Sequence, residues 1–247
     1  MAKEIKFVFF GSSRFSEFVL EELEKAGFSP IKKVTSAKEE LPRIPADFYI
    51  VASFGKIIPK EILDIPKYGS LNVHPSLLPK LRGPSPIQNL ILGNGEPGVT
   101  IIKMDEQMDH GPIVTQEKVE IAPWPDHYAV VEEKLARAGG KLLTQVLENY
   151  QGLTLIEQDH REATLTKMIK KEDGLLNLND SAETNLRKVL AYSTWPGAYF
   201  FHKRENGKEI RVIVKDAKIE NSKLKILSVI PAGKREMDWA SFLRGNA

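Results

Sequence analysis

The feature that most constrains the fold is the opening of the chain, where a buried strand, a glycine-containing turn, an amphipathic helix and a second strand follow one another. Residues 5–10 are apolar, β-branched and aromatic, which is typical of a buried strand. Gly11-Ser12-Ser13 forms the turn, and either serine can cap a helix whose apolar positions keep helical spacing until Gly27. Residues 31–35 are the second strand. This order predicts a right-handed βαβ unit and an open, mostly parallel, Rossmann-like α/β sheet.

The same kind of pattern continues to residue 150, which we take as the end of a first, catalytic domain (1–150). The predicted strands lie at 48–52, 69–74, 99–104 and 113–121, and the predicted helices at 59–65, 87–92 and 126–150. Residues 75–86 contain four prolines. They predict a stiff loop that loses little conformational entropy when it binds a ligand.

The character of the sequence changes after residue 150. Residues 151–180 are polar and irregular, and they predict a linker on the surface. Residues 181–247 predict a small domain built on an antiparallel barrel or sheet. Its elements are a helix at 182–192, strands at 198–202, 210–214 and 223–230, and turns at Asn206-Gly207 and Asn221-Ser222.

Charge is distributed unevenly between the two parts. Residues 170–247 hold 15 Lys and Arg against 10 Asp and Glu, a net of +5, while residues 1–169 carry a net of −3. A basic domain is compatible with phosphate contacts, although charge alone favours an ordinary solvated face because the excess is modest.

Two absences in the sequence bear on where the chain works. The chain has no cysteine, which fits a reducing compartment such as the cytoplasm. No apolar stretch approaches the length of about 18 residues that a membrane-spanning helix needs, so we expect no membrane partner. A monomer is the default expectation for the oligomeric state.

The densest group of chemically useful side chains consists of Asn72, His74 and Asp109. Asn72 and His74 are two residues apart on a predicted strand, so their side chains leave the same face of the sheet. Asp109 lies on the loop between two later strands and can reach them. An amide, an imidazole and a carboxylate suit acyl transfer, because they can stabilise an oxyanion and move a proton. A surface histidine at a strand end is the simpler alternative.

Other motifs argue against several enzyme classes. The first turn has one glycine and no G-x-G-x-x-G pattern, and the chain has neither a P-loop nor a nucleophile elbow. His127, His160 and His202 are scattered, so we interpret them as structural or solvated and predict no metal. Trp195-Pro196 at a helix end is more typical of a core than of a base-stacking site.

Several motifs together resemble the folate-dependent formyltransferases. They are LNVHPSLLPKLRG at 71–83 with PIQ at 86–88, GVTI at 98–101, MD at 104–105 and 108–109 leading to Gly111, FGSSRF at 10–15, and ASFGKIIP at 52–59. The resemblance spans most of residues 5–121. It implies a formyltransferase fold and 10-formyltetrahydrofolate as the formyl donor, with a primary amine as the acceptor.

The resemblance also implies roles for individual residues. Asn72 and a protonated His74 would donate hydrogen bonds to the oxygen of a tetrahedral intermediate, while Asp109 holds His74 and helps to move the amine proton. The residues implied to bind folate are Phe54, Gly55, Ile57, Ile58, Ser76, Leu77, Leu78 and Pro79. Those implied to bind the acceptor are Arg14, Arg82 and Gly83.

Motifs in the C-terminal part favour one acceptor within this family. The segments at 192–198, 231–237 and 242–245 resemble the members that formylate methionyl-tRNA. This resemblance implies an OB-like β-barrel for the domain at 181–247, initiator methionyl-tRNA as the partner and a role in translation initiation. The chain would be a short form, since only 12 residues separate Thr35 from Phe48 where the bacterial members carry a longer insertion. The alternatives are an amino sugar on a nucleotide as acceptor, hydrolysis of the donor to formate, and a non-catalytic RNA-binding protein.

Overall fold

A computed structural model of the chain describes residues 5–152, 154–204 and 207–245. The chain divides into two compact units. The first consists of the residues up to Pro86, Gly95–Ile121 and Glu132–Thr166, and the second consists of Ile87–Asn94, Ala122–Val131 and the residues from Lys167 onwards. The domain boundaries at residues 150 and 180 stay a prediction.

The first unit is built on a six-stranded sheet. Its strands are β1 (Phe7–Phe10), β2 (Lys32–Val34), β3 (Phe48–Val51), β4 (Ser70–His74), β5 (Gly98–Lys103) and β6 (Ile113–Lys118), in the order β2-β1-β3-β4-β5-β6. The pairings among β2, β1, β3 and β4 are parallel, whereas β5 pairs with β4 and β6 antiparallel. The prediction of an open, mostly parallel α/β sheet is therefore confirmed.

Along the chain, helices lie between these strands and after the last of them. The first four helices of the chain are α1 (Arg14–Lys25), α2 (Lys60–Leu63), α3 (Pro86–Ile91) and α4 (Tyr128–Glu148). Ser13 caps α1, because its hydroxyl oxygen accepts a hydrogen bond from the backbone N–H of Ser16 at 3.3 Å and the hydroxyl of Ser16 accepts one from Ser13 at 3.0 Å. This capping box starts the helix where the sequence predicted it.

The second unit contains a four-stranded antiparallel sheet. Its elements are α5 (Ala182–Ala191), β7 (Ala198–Lys203), β8 (Glu209–Glu220), β9 (Lys223–Pro231), β10 (Met237–Asp238) and α6 (Trp239–Arg244), with the strand order β10-β9-β8-β7. Its core includes Val189 of α5, Phe200 of β7 and Phe242 of α6. The small antiparallel β domain is confirmed, and its closure into an OB-like barrel stays a prediction.

Three details of the second unit depart from the sequence interpretation. β8 continues to Glu220 rather than ending near residue 214, since a pairing irregularity around Asp216 lets the strand run on through polar residues. β10 and α6 were not predicted. Trp195 is 50% exposed, so the prediction that it belongs to the core is wrong.

Two turns were predicted between the strands of this sheet. Asn221 and Ser222 both have positive φ, 50° and 60°, as a two-residue hairpin turn requires, so this turn is confirmed. Asn206 of the other predicted turn lies outside the described residues. Among the described helices, none has the length and apolar character needed to cross a membrane.

Candidate active site

Asn72 and His74 project from the same face of β4, since they occupy alternate positions of the strand. His74 is only 4% exposed. The loop that carries Asp109 leaves the sheet at Lys103, which pairs with Leu71 near the start of β4. It then turns back and brings Asp109 against both side chains.

The Asp109 carboxylate faces three nitrogen atoms. Its Oδ2 accepts a hydrogen bond from the backbone N–H of Gly83 at 2.8 Å. Its Oδ1 accepts one from Nδ2 of Asn72 at 3.3 Å and lies 3.4 Å from Nδ1 of His74. The structure therefore brings together the three side chains predicted to be catalytic, and Gly83 with them, while their catalytic roles stay a prediction.

His74 has a protein partner at each ring nitrogen. Its Nε2 lies 3.1 Å from the carbonyl oxygen of Leu81, and because a carbonyl oxygen can only accept, Nε2 carries a hydrogen. A bare lone pair on Nδ1 would repel the carboxylate of Asp109, so a proton lies between Nδ1 and Oδ1. The resemblance implied that His74 donates to a substrate oxygen, whereas here both nitrogens are engaged within the protein.

The Asp109 carboxyl group has a lowered pKa. Burial raises the pKa of this group, but the charge and hydrogen bond of His74, the Gly83 N–H and the charge of Arg82 outweigh burial, so the pKa lies below its ordinary value of 3.8. The carboxyl group is therefore ionised at neutral pH and presents acceptor oxygens to its three nitrogen neighbours.

Two glycines allow the loops to approach one another at this point. Gly83 has a φ of +105°, and a Cβ there would lie 2.8 Å from the carbonyl oxygen of Thr166. A Cβ at Gly111 would collide with the carbonyl oxygen of Lys103. Asp109 itself has a φ of +53°, which is unfavourable for a residue other than glycine. Its surroundings must therefore hold this conformation.

Arg82 is buried rather than exposed on the surface. Its side chain is 6% exposed, and its Nε and Nη2 donate to Oε1 of Gln158 at 3.1 and 2.6 Å. Nη2 also lies 2.9 Å from Nδ1 of His160, which must be the acceptor because a guanidinium only donates. Acceptor binding by Arg82 stays a prediction, since these contacts are all with the protein.

Part of the predicted linker, residues 158–166, runs beside the loop that follows β4. The hydroxyl oxygen of Thr164 accepts from the N–H of Leu81 at 2.8 Å, and its carbonyl oxygen accepts from the N–H of Arg82 at 2.9 Å. The hydroxyl of Thr166 donates to the carbonyl oxygen of Arg82 at 3.0 Å. This segment therefore helps to fix the loop that carries Leu81 and Gly83.

The residues implied to bind folate lie on two loops at the carboxyl ends of neighbouring parallel strands. Phe54, Gly55, Ile57 and Ile58 follow β3, and Ser76, Leu77, Leu78 and Pro79 follow β4. Ile57 is 78% exposed and the space beside Gly55 is open, so the first loop offers surface to a ligand. Ser76 donates its hydroxyl to the Lys80 carbonyl oxygen at 2.7 Å, and Leu78 is buried, so these two side chains stabilise their own loop.

Sequence reasoning missed Gln158, Thr164 and Thr166, all within the predicted linker. The polar–apolar–polar alternation of residues 164–166 was the one signal of an extended segment there. Arg14, implied to bind the acceptor, is the exposed first residue of α1, and its guanidinium lies 5.2 Å from the centre of the Phe18 ring. Within the described ranges, no three His, Asp or Glu side chains gather as a metal ion would require.

Comparisons with known proteins show which family the chain belongs to. The profile of the formyl transferase family matches residues 10–147, and the profile of the formyl transferase C-terminal domain matches residues 168–225. Methionyl-tRNA formyltransferase from Thermus thermophilus is 37% identical over 225 residues, which cover 84% of this chain and 73% of that protein.

Solved structures extend the similarity. Methionyl-tRNA formyltransferase from Clostridium thermocellum superposes with a TM-score of 0.71 at 16% identity, covering 95% of this chain and 99% of that one. HypX from Aquifex aeolicus, in complex with tetrahydrofolic acid, gives a TM-score of 0.73 at 19% identity over 98% of this chain and 47% of HypX. At these identities the likeness concerns the fold alone. Because one family profile covers more than half of the sequence and the Thermus relative is matched over most of its length, the chain belongs to the formyl transferase family.

Proposed function

We propose that this formyl transferase moves the formyl group of 10-formyltetrahydrofolate to the α-amino group of methionine esterified to initiator tRNA. The observation that carries the chemistry is the convergence of Asn72, His74 and Asp109 on one face of β4. The acceptor is supported by the relative from Thermus thermophilus, which is named for methionyl-tRNA, and by the basic composition of residues 170–247.

Each of the three side chains has a distinct task in this proposal. Bound 10-formyltetrahydrofolate supplies a formyl carbon attached to a nitrogen leaving group. The Asn72 amide carries two hydrogens and gives one to Asp109, so the other can donate to the formyl oxygen as negative charge develops there. The contact between Oδ1 of Asp109 and Nδ1 of His74 orients the two groups, and the Asp109 carboxylate takes the proton that the attacking amine loses. That proton passes to the folate nitrogen as the bond between this nitrogen and the formyl carbon breaks.

The loops beside these residues fit the donor. A folate presents a flat ring that needs apolar surface, and the loop after β3 offers the exposed side chain of Ile57 and open space beside Gly55. Phe54 is held in that loop by an edge-on contact with Phe10, with ring centres 5.6 Å apart. The loop after β4 is fixed independently of a ligand, since the hydroxyl of Thr100 donates to the carbonyl oxygen of Ser76 at 2.6 Å.

The acceptor is tested by incubating the protein with 10-formyltetrahydrofolate labelled in its formyl group. Separate reactions contain methionyl initiator tRNA, the same tRNA without methionine, a nucleotide-linked amino sugar, or no acceptor. We expect label on methionyl-tRNA alone, because uncharged tRNA lacks the amine. Transfer to the amino sugar, or release of formate without an acceptor, would replace the proposal by the corresponding alternative.

A further inference from the structure

The side chain of Gln158 occupies every hydrogen-bonding position that an amide has. Nε2 donates to the carbonyl oxygen of Asp109 at 3.0 Å and to that of Gly111 at 2.7 Å. Oε1 accepts from Nε and Nη2 of Arg82 at 3.1 and 2.6 Å. The reverse orientation would set an oxygen against two carbonyl oxygens and an NH2 group against a guanidinium. The four partners therefore fix the amide in one orientation.

The backbone that Gln158 binds is the strained part of the loop. Asp109 adopts the left-handed conformation, and Gly111 passes so close to the carbonyl oxygen of Lys103 that no side chain fits there. A backbone in this state persists only where its surroundings hold it. Gln158 does so on both sides of His110, and it is itself 4% exposed.

Arg82 connects this anchor to the other side of the site. Its guanidinium holds Gln158, while its own backbone is bound by Thr164 and Thr166. Gly83, the next residue, donates its N–H to the carboxylate of Asp109. The main chain and the side chain of Asp109 are thus fixed from the same short stretch of chain.

We propose that Gln158 is a positioning residue, which holds the backbone at Asp109 and Gly111 so that the carboxylate of Asp109 stays against His74. The proposal rests on the proposed function, because it takes Asp109 to act in formyl transfer. Gln158 touches no reacting atom in this account and acts only through Asp109.

The decisive substitution is Gln158→Glu, which preserves size and the oxygen facing Arg82 but turns a second oxygen toward the two carbonyl groups. We expect kcat for formyl transfer to fall at least about tenfold, since small displacements of a catalytic group are costly, with KM for methionyl-tRNA nearly unchanged. In an Asp109→Asn background the same substitution should lower kcat less than about threefold, because the group it positions is already lost. Gln158→Met serves as a second variant if Gln158→Glu does not fold.

Two further amides provide matched controls. Gln151 is exposed and donates to the hydroxyl of Tyr150 at 3.3 Å, so Gln151→Glu should leave kcat unchanged. Asn185 is buried in the second unit and also donates to two backbone carbonyl oxygens, those of Asn177 and Asp180. Asn185→Ala should lower the melting temperature without lowering kcat, which separates general destabilisation from loss of positioning.

The inference and the proposed function can fail separately. Equal losses of kcat in the wild-type and Asp109→Asn backgrounds, or no loss in either, would overturn the positioning role. If the wild-type protein formylates no acceptor, the proposed function fails, and amide hydrogen exchange still reports on Gln158. Exchange in residues 105–113 should then be at least about tenfold faster in Gln158→Glu than in the wild type, and unchanged exchange would overturn the inference.

Discussion

Replacing Asp109 with asparagine tests the chemistry of the site most directly. The carboxylate accepts from Gly83 at 2.8 Å through Oδ2, while Oδ1 faces Nδ2 of Asn72 at 3.3 Å and Nδ1 of His74 at 3.4 Å. Asparagine has the same shape but only one oxygen. If that oxygen keeps the short bond to Gly83, the NH2 group is turned toward Asn72 and His74, both of which present hydrogens to it.

The magnitude follows from the acid–base group that this change removes. Nε2 of His74 stays committed to the carbonyl oxygen of Leu81, while Nδ1 loses the carboxylate that faces it and the attacking amine loses the base that takes its proton. A positioned acid–base group contributes about 10²- to 10⁴-fold to a rate. This corresponds to about 3–5 kcal/mol of transition-state stabilisation. We therefore expect Asp109→Asn to lower kcat by about 1,000-fold with little change in KM.

The assay is single-turnover transfer of labelled formyl groups to methionyl-tRNA with the protein in excess, so that product release does not limit the rate. Asp105→Asn is the matched control, because Asp105 lies in the same loop and pairs with Nδ1 of His110 at 2.6 Å. A partly exposed pair of this kind contributes at most about 1 kcal/mol, so the control should lose less than about fivefold.

Thermal unfolding of both variants checks that the fold is retained. Activity of Asp109→Asn within about tenfold of the wild type, a loss of about 1.4 kcal/mol, would refute the assignment of Asp109 as the acid–base group that acts beside His74.

Two further predictions concern a loop and a surface charge. Gly83→Ala should lower the free energy of unfolding in urea by at least about 1 kcal/mol more than Gly27→Ala. Both glycines have positive φ, but of the two only Gly83 would place a Cβ against a neighbour, the Thr166 carbonyl oxygen at 2.8 Å. Equal losses of unfolding free energy in the two variants would show that the contact with Thr166 does not destabilise the protein. Hydrogen bonds from Lys225 and Lys218 lower the pKa of Glu220 to about 2. The ionised carboxylate therefore stabilises the fold at pH values above its ordinary pKa of 4.5, and this contribution is lost as the pH falls through about 2. An NMR titration of Lys225→Gln should show the pKa of Glu220 shifted toward 4.5, and an unchanged value would contradict this cause.

The parts of the fold that sequence reasoning predicted are those specified by neighbouring residues. The cap at Ser13, the apolar run of β1 and the two-residue spacing of Asn72 and His74 all express local rules. Asp109 was predicted to lie near Asn72 and His74 because it is on the loop between two later strands, from which its side chain can reach them.

What the sequence did not reveal depends on partners distant along the chain. Gln158 and Thr164 are polar residues in a stretch without apolar periodicity, and composition alone makes such a stretch a linker. Their bonds to Asp109, Leu81 and Arg82 span between 49 and 83 positions. The orientation of the His74 ring could not be predicted from the sequence either, because it depends on the carbonyl oxygen of Leu81, a residue with a φ of 62°.

The use of a neutral amide between Arg82 and the loop of Asp109 has a physical reason. A guanidinium bound directly to the carboxylate would take one acceptor site on each oxygen in a bidentate pair and compete with Gly83, Asn72 and His74 for the carboxylate. With Gln158 interposed, Arg82 still lowers the pKa of Asp109 through its charge, while Oδ1 remains free to face Nδ1 of His74. The buried cation thus adds to the effects of His74 and Gly83 on the pKa of Asp109 without competing for its oxygens, and the contact between Oδ1 and Nδ1 of His74 is retained because the charge acts across an amide.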